Sequence, residues 1–104
     1  MKQRGNSFPM HVRLTDDAVG DLETIRAYLE PKSPQGFMRI ATAIFTTMAQ
    51  LETFPLLGRE GRVEGTYELA VPRTPFLLIY SINDPLFVDI DRVLHGKQEY
   101  PPDK

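Results

Sequence analysis

The 104-residue chain contains no cysteine and only two histidines. Without cysteine it has no thiolate nucleophile, no disulfide and no cysteine-ligated zinc. Two histidines are too few for a histidine-rich metal site. We therefore expect neither a metal nor a cofactor.

Long apolar runs and a strong net charge are also missing. The longest uninterrupted apolar run, residues 76–80, is far shorter than the roughly twenty residues that a membrane-spanning helix needs. Lys2 and Arg4 are not followed by the apolar core of a secretory signal. The formal net charge of −2 gives the whole molecule no attraction for phosphate backbones. These absences predict a cytoplasmic protein with no membrane partner.

The length fits one domain with a single core. A hydrophobic content of 41% and a charged content of 25% are close to the globular average, so a folded chain is expected. We expect residues 10–102 to form that domain and residues 1–9 to form a flexible leader.

Two amphipathic helices are predicted in the first half of the chain. Thr15 and Ser33 are suitable N-caps, and Pro34 fits the first turn of the second helix. Apolar residues then recur at helical spacing. They are Ala18, Leu22, Ile25 and Leu29 in the first helix, and Phe37, Ile40, Ala41, Ile44, Phe45, Met48 and Leu51 in the second. Because the linker is short, we expect a helical hairpin whose two stripes form the core.

Strands are predicted on either side of this hairpin. Residues 10–14 and 66–71 alternate between apolar and polar side chains, and the alternation places Glu68 on a solvent-facing side. Residues 76–82 form an apolar run typical of a central strand, and alternation resumes from residue 86. The order β-α-α-β-β-β predicts an α+β fold with the hairpin packed on a small antiparallel sheet. The first strand is expected at an edge.

Three segments carry a recognisable pattern. They are Ala18, Asp21, Leu22, Ile25 and Tyr28 in the first helix; Leu51, Pro55, Gly58 and Arg59 at the exit of the second; and the terminal run of residues 92–97, RVLHGK. Together they resemble the RelE/ParE family of type II toxin–antitoxin toxins, specifically its ParE-like branch. The resemblance implies a RelE/ParE-like toxin domain, a cognate antitoxin as partner and a toxin–antitoxin hetero-oligomer.

The resemblance leaves two kinds of target open. RelE-like members cut messenger RNA on the ribosome, whereas ParE-like members poison DNA gyrase and need no nuclease site. The RelE pattern has arginines at the start of the central strand and just after the final glycine-lysine, where this chain has Leu77 and Gln98. Neither side chain offers a fixed cation to a phosphate. The resemblance therefore favours a non-enzymatic gyrase inhibitor over the alternative, a ribosome-dependent mRNA endonuclease. A folded relative that is no longer toxic is a third possibility.

The candidate site lies at the C-terminal exit, where Gly96 allows the chain to turn. Arg92, His95, Lys97 and Tyr100 combine polar anchors with an aromatic ring, as interface hot spots do, and are predicted to bind the target. If the chain is a nuclease, the candidate catalytic residues are Arg73, His95, Lys97 and Tyr100, because a histidine side chain titrates near neutral pH.

Each of these residues also has a purely structural interpretation. His95 can end the strand by hydrogen bonding to backbone, and Tyr100 can lay its ring over the edge of the core. Arg92 can join Asp89 and Asp91 in a charge ladder across the strands. The two aspartates lack a third ligand, so we expect no metal site between them.

Overall fold

The computed structural model describes residues 10–102, and the predicted leader at residues 1–9 lies outside them. The elements follow in the order β1 (His11–Leu14), α1 (Asp16–Leu29), α2 (Pro34–Thr53), β2 (Arg59–Glu60), β3 (Thr66–Ala70), β4 (Phe76–Asp84) and β5 (Phe87–His95). Two helices thus follow the first strand, and the remaining strands come after them. This arrangement confirms the predicted α+β fold.

The sheet is mixed, with five strands in the order β1-β5-β4-β3-β2. β1 lies at an edge, as predicted, but it runs parallel to β5, whereas every other pairing is antiparallel. The expectation of a wholly antiparallel sheet was wrong. Both helices and three strands lie between β1 and β5 in the chain, a connection long enough for β5 to run in the same direction as β1. The extra strand, β2, has only two residues, too few to show a period in the sequence.

Both predicted helix caps are present. The Thr15 hydroxyl accepts a hydrogen bond from the Ala18 N–H at 3.1 Å and donates one to the Asp91 carbonyl at 3.1 Å. The Ser33 hydroxyl accepts from the Gly36 N–H at 2.9 Å, with Pro34 in the first turn of α2. Thr15 therefore starts α1 and fixes that start to β5.

The helices cover one face of the sheet and bury most of the predicted stripes. Ile40, Ile44, Met48 and Leu51 of α2 pack with Ala18 of α1 and with strand residues Leu78, Tyr80, Val88, Ile90 and Val93. The prediction that Phe45 is part of the core was wrong, because its side chain is 51% exposed. Thr47 is buried instead, and its hydroxyl donates to the Ala43 carbonyl at 2.8 Å, which satisfies its polar group inside the core.

A β-bulge interrupts β5. Ile79 pairs with Arg92 and Tyr80 pairs with Ile90, so Asp91 is an extra residue on the β5 side. The extra residue shifts the alternation of side chains, and Val93 therefore joins Ile90 on the helix side of the sheet. The odd spacing between these two apolar residues is the trace of the bulge in the sequence.

Within residues 10–102, neither helix combines the length and the apolar character needed to cross a membrane.

Candidate functional site

The predicted site residue Arg92 is bound to α1. Its Nε and Nη2 donate to the two carboxylate oxygens of Asp21 at 2.8 and 2.9 Å, and the Val93 N–H donates to the same carboxylate at 2.8 Å. The hydrogen bond to Asp21 is the main cause of the raised pKa of Arg92. The predicted charge ladder with Asp89 and Asp91 was therefore wrong.

His95 and Lys97 share the tight turn after β5. The Lys97 N–H donates to His95 Nδ1 at 3.1 Å, which leaves the proton of the neutral ring on Nε2. The His95 N–H donates to Gln98 Oε1 at 2.6 Å, and the Gln98 N–H donates back to the His95 carbonyl at 2.9 Å. His95 thus ends the strand as the structural interpretation proposed, while the Lys97 side chain lies on the exposed surface of the turn.

Tyr100 lies over the sheet face opposite the helices, which we call the open face. Its phenol interacts electrostatically with Asp91 and Arg92 on β5 and with Glu68 on β3, and burial is the main cause of its raised pKa. Ile79 on β4 pairs with both Glu68 and Arg92. The residues that interact with Tyr100 therefore flank Ile79, which is fully buried although it points away from the helices.

A charge cluster that the sequence did not reveal lies on the same face. Arg62 Nε and Nη2 donate to the Glu68 carboxylate at 3.0 and 3.2 Å, Arg59 Nη2 donates at 3.3 Å, and the Arg62 backbone N–H donates at 2.9 Å. The side chain of Glu68 is only 1% exposed, so its predicted place on a solvent-facing side was wrong. Hydrogen bonding from Arg62 is the main reason that the pKa of Glu68 falls to about 2. The only trace in the sequence is the pair of arginines just before β3.

The residues of the nuclease hypothesis do not converge on one face. Arg73 lies in the β3–β4 turn and borders a groove beside α2, on the helix side of the sheet. The ring of His95 packs edge-on against Phe76, with 5.7 Å between ring centroids, and Phe76 also packs on the helix-side core. Tyr100 lies over the open face, so the sheet separates it from Arg73.

The two aspartates of the metal interpretation have other partners. Asp89 forms an ion pair with Arg13 at 2.8 Å. The Asp91 carboxyl interacts with Ser81, and burial is the main cause of its raised pKa. Among residues 10–102, no group of three histidine, aspartate or glutamate side chains is placed to hold a metal ion.

The chain shares this architecture with small toxins of toxin–antitoxin systems. The family described as "ParE toxin of type II toxin-antitoxin system, parDE" matches residues 12–100, and the chain belongs to this family. The predicted membership of the RelE/ParE toxins is thereby confirmed.

Known relatives agree with this assignment. The chain is 33% identical over 90 residues to the putative toxin Y4kP of Sinorhizobium fredii, which covers 86% of this chain and 92% of that protein. A solved chain of the chromosomal ParDE toxin–antitoxin system from P. aeruginosa shares the fold, with a TM-score of 0.75 at 22% identity over 86% of this chain and 98% of that one. A chain of the RelBE2 toxin–antitoxin complex from Mycobacterium tuberculosis matches with a TM-score of 0.60 at 33% identity, over 84% and 98% of the two chains.

Proposed function

We propose that this type II toxin acts by binding and inhibiting DNA gyrase and that it does not cut nucleic acid. The observation that carries the proposal is that every arginine of the strands is already paired with a carboxylate. Arg13 pairs with Asp89, Arg92 with Asp21, and Arg59 with Glu68, which also holds Arg62 just outside β2.

Such pairing is poorly suited to phosphodiester cleavage. A nuclease of this kind needs fixed cations aimed at the charge that develops on the phosphate in the transition state. An arginine held by a carboxylate would first have to give up that partner. Glu68 is buried beneath its arginines, so separating them would leave an uncompensated buried charge. In the described part of the sheet, the paired arginines are therefore better suited to stabilising the fold than to binding a reacting phosphate.

Gln98, in the tight turn after β5 that we call the exit turn, also argues against a nuclease. Its side-chain carbonyl accepts the His95 N–H and closes the turn. An arginine at this position, as in the RelE pattern, has no acceptor and could not make this hydrogen bond. The side chain at position 98 thus has a structural role here, and a phosphate-binding role is not needed to explain it.

The exit turn remains our predicted contact with gyrase. Lys97 provides an exposed cation, His95 fixes the turn, and Tyr100 provides an aromatic ring that is still partly accessible beside Arg92. Aromatic rings and cations of this kind are enriched among residues that dominate binding energy in interfaces. We further propose a cognate antitoxin as the partner, because the solved relatives belong to toxin–antitoxin systems, and a cytoplasmic location, where gyrase acts.

Two substitutions separate the proposal from a RelE-like mRNA endonuclease, the alternative suggested by the likeness to RelBE2. Lys97→Glu should weaken inhibition of gyrase supercoiling about tenfold or more, since it reverses a charge at the proposed contact. His95→Ala should leave messenger RNA as intact as the wild type does in an in vitro translation reaction. Leu86→Glu, in the exposed turn just before β5 and so at the other end of that strand, is the control. Messenger cleavage by the wild type that disappears in His95→Ala would replace the proposal with the nuclease function.

A further inference from the structure

A groove lies between α2 and the β3–β4 turn. Its volume is about 590 Å³. The lining residues are Met38, Arg39, Thr42, Ala43, Thr46, Thr47 and Gln50 of α2, and Pro72, Arg73 and Thr74 of the turn. They include two arginines and no carboxylate, so the groove is positively charged on a chain whose net charge is −2.

Arg39 and Arg73 differ from the arginines of the strands. Within residues 10–102, the ion pairs of the chain involve Arg13, Arg26, Arg59, Arg62 and Arg92, and neither groove arginine is among them. Both residues are exposed. The groove can therefore offer two cations to an incoming anionic group without breaking an existing pair.

The backbone at Arg73 adds a second observation. Its φ is 62°, in the left-handed region where a residue with a Cβ is strained and glycine is favoured. An arginine at such a position keeps a cation at the rim of the groove at the expense of local stability. Strain of this kind in a native structure is more often found at functional positions than elsewhere.

The rest of the lining indicates which kind of anion fits. Met38 is 60% exposed, and Ala43, Pro72 and the threonine methyl groups extend the apolar surface around it. A single-stranded nucleic acid is usually held by aromatic rings on which its bases stack. None of the lining residues is aromatic. Two cations set among aliphatic side chains instead match a peptide segment that carries a carboxylate among apolar residues.

We propose that this groove binds an acidic, apolar segment of the antitoxin. A carboxylate of that segment would lie between Arg39 and Arg73, with neighbouring apolar side chains against Met38 and Pro72. This proposal rests on the proposed toxin–antitoxin pairing. It adds that the antitoxin segment occupies the helix side of the sheet, whereas Tyr100 and its partly accessible ring lie over the open face.

The test uses the full chain and the antitoxin expressed from the neighbouring reading frame. The double variant Arg39→Glu/Arg73→Glu should raise the Kd for the antitoxin about 100-fold, because it sets like charges against each other in a desolvated contact. Thr46→Trp, an exposed lining position, should fill the groove and weaken binding to a similar extent. Arg73→Gly should weaken binding while leaving the Tm equal or higher, since it removes both the cation and the strain. Arg26→Glu, on the exposed face of α1, should change the Kd less than threefold.

The outcomes separate this proposal from the gyrase proposal. Groove variants that still inhibit gyrase but no longer respond to the antitoxin support the docking site. Wild-type antitoxin affinity in the double variant, or in Thr46→Trp if the double variant does not fold, overturns it while leaving gyrase inhibition intact. If the groove variants lose binding to a 12-nucleotide RNA and keep binding the antitoxin, the groove binds nucleic acid and the proposal fails. A wild-type chain that binds no antitoxin contradicts the toxin–antitoxin pairing itself.

Discussion

Asp21 of α1 holds both the side chain of Arg92 and the backbone of Val93 on β5, with three hydrogen bonds of 2.8 to 2.9 Å. The pairing of β1 with β5 extends only to Ile90. Beyond that point no strand of residues 10–102 pairs with this edge of β5, and Asp21 supplies an acceptor there in place of a strand carbonyl. A helix therefore completes the edge of the sheet next to the bulge at Asp91.

Replacing Asp21 should consequently destabilise the fold. Asp21→Ala leaves the partly buried Arg92 guanidinium and the Val93 N–H without their acceptor, and we expect the free energy of unfolding to fall by about 1–3 kcal/mol. Urea denaturation at neutral pH measures the change. Glu23→Gln, an exposed position two residues further along α1, is the control. Equal midpoints for the two variants would show that the Asp21 contacts contribute nothing to stability.

The ion pairs of Glu68 should make the free energy of unfolding fall at acidic pH. Its pKa is about 2 in the folded chain and 4.5 ordinarily, so the unfolded chain takes up the proton first as the pH falls. The contribution of the charged carboxylate is complete above pH 4.5 and disappears as the pH falls to about 2. We expect a loss on the order of 3 kcal/mol across this window.

Glu68→Gln tests that assignment. The variant should be less stable than the wild type at pH 7 and should lose less stability than the wild type between pH 4.5 and pH 2, since residue 68 no longer titrates. Thermal unfolding at several pH values gives the two profiles. Glu64→Gln, in the exposed loop of the same hairpin, should retain the wild-type slope. A Glu68→Gln profile as steep as the wild-type profile would assign the acid sensitivity to other carboxylates.

Tyr80 fixes the loop after α2 from inside the core. Its hydroxyl accepts the Gly58 N–H at 2.9 Å and donates to the Pro55 carbonyl at 2.8 Å, and its ring is fully buried. Tyr80→Phe removes both bonds without changing the packing, so we expect a loss of about 1–3 kcal/mol and faster hydrogen exchange at Gly58. Tyr67→Phe, on the half-buried ring stacked against Tyr80, is the control. Unchanged exchange at Gly58 would contradict the proposed link.

The sequence predicted those features whose cause is local. Thr15 and Ser33 act on N–H groups three residues away, so the cap signal and the cap lie in the same short stretch. The helix stripes were also largely right, because a single period determines which residues face the core. The prediction for Phe45 was wrong because the apolar stripe of α2 is wider in the sequence than the part of the helix that packs on the sheet.

The features that were missed depend on residues far apart in the chain. Asp21 and Arg92 are separated by 71 positions, and nothing near either residue identifies the other as its partner. The alternation of side chains in β3 places Glu68 on the face opposite the core, which predicts contact with solvent. It does not show that arginines from another part of the chain cover that face. The bulge at Asp91 is only partly predictable from the sequence. The spacing from Ile90 to Val93 indicates a break in the alternation but does not identify the extra residue.

Inhibition of gyrase by binding is what we propose for this ParE-family chain. The most direct test is supercoiling of relaxed plasmid by purified gyrase as wild-type protein is added, with messenger RNA integrity followed in a parallel translation reaction. We predict that supercoiling stops in proportion to the added chain while the messenger remains intact. Normal supercoiling together with messenger cut at codon-sized intervals would contradict the claim.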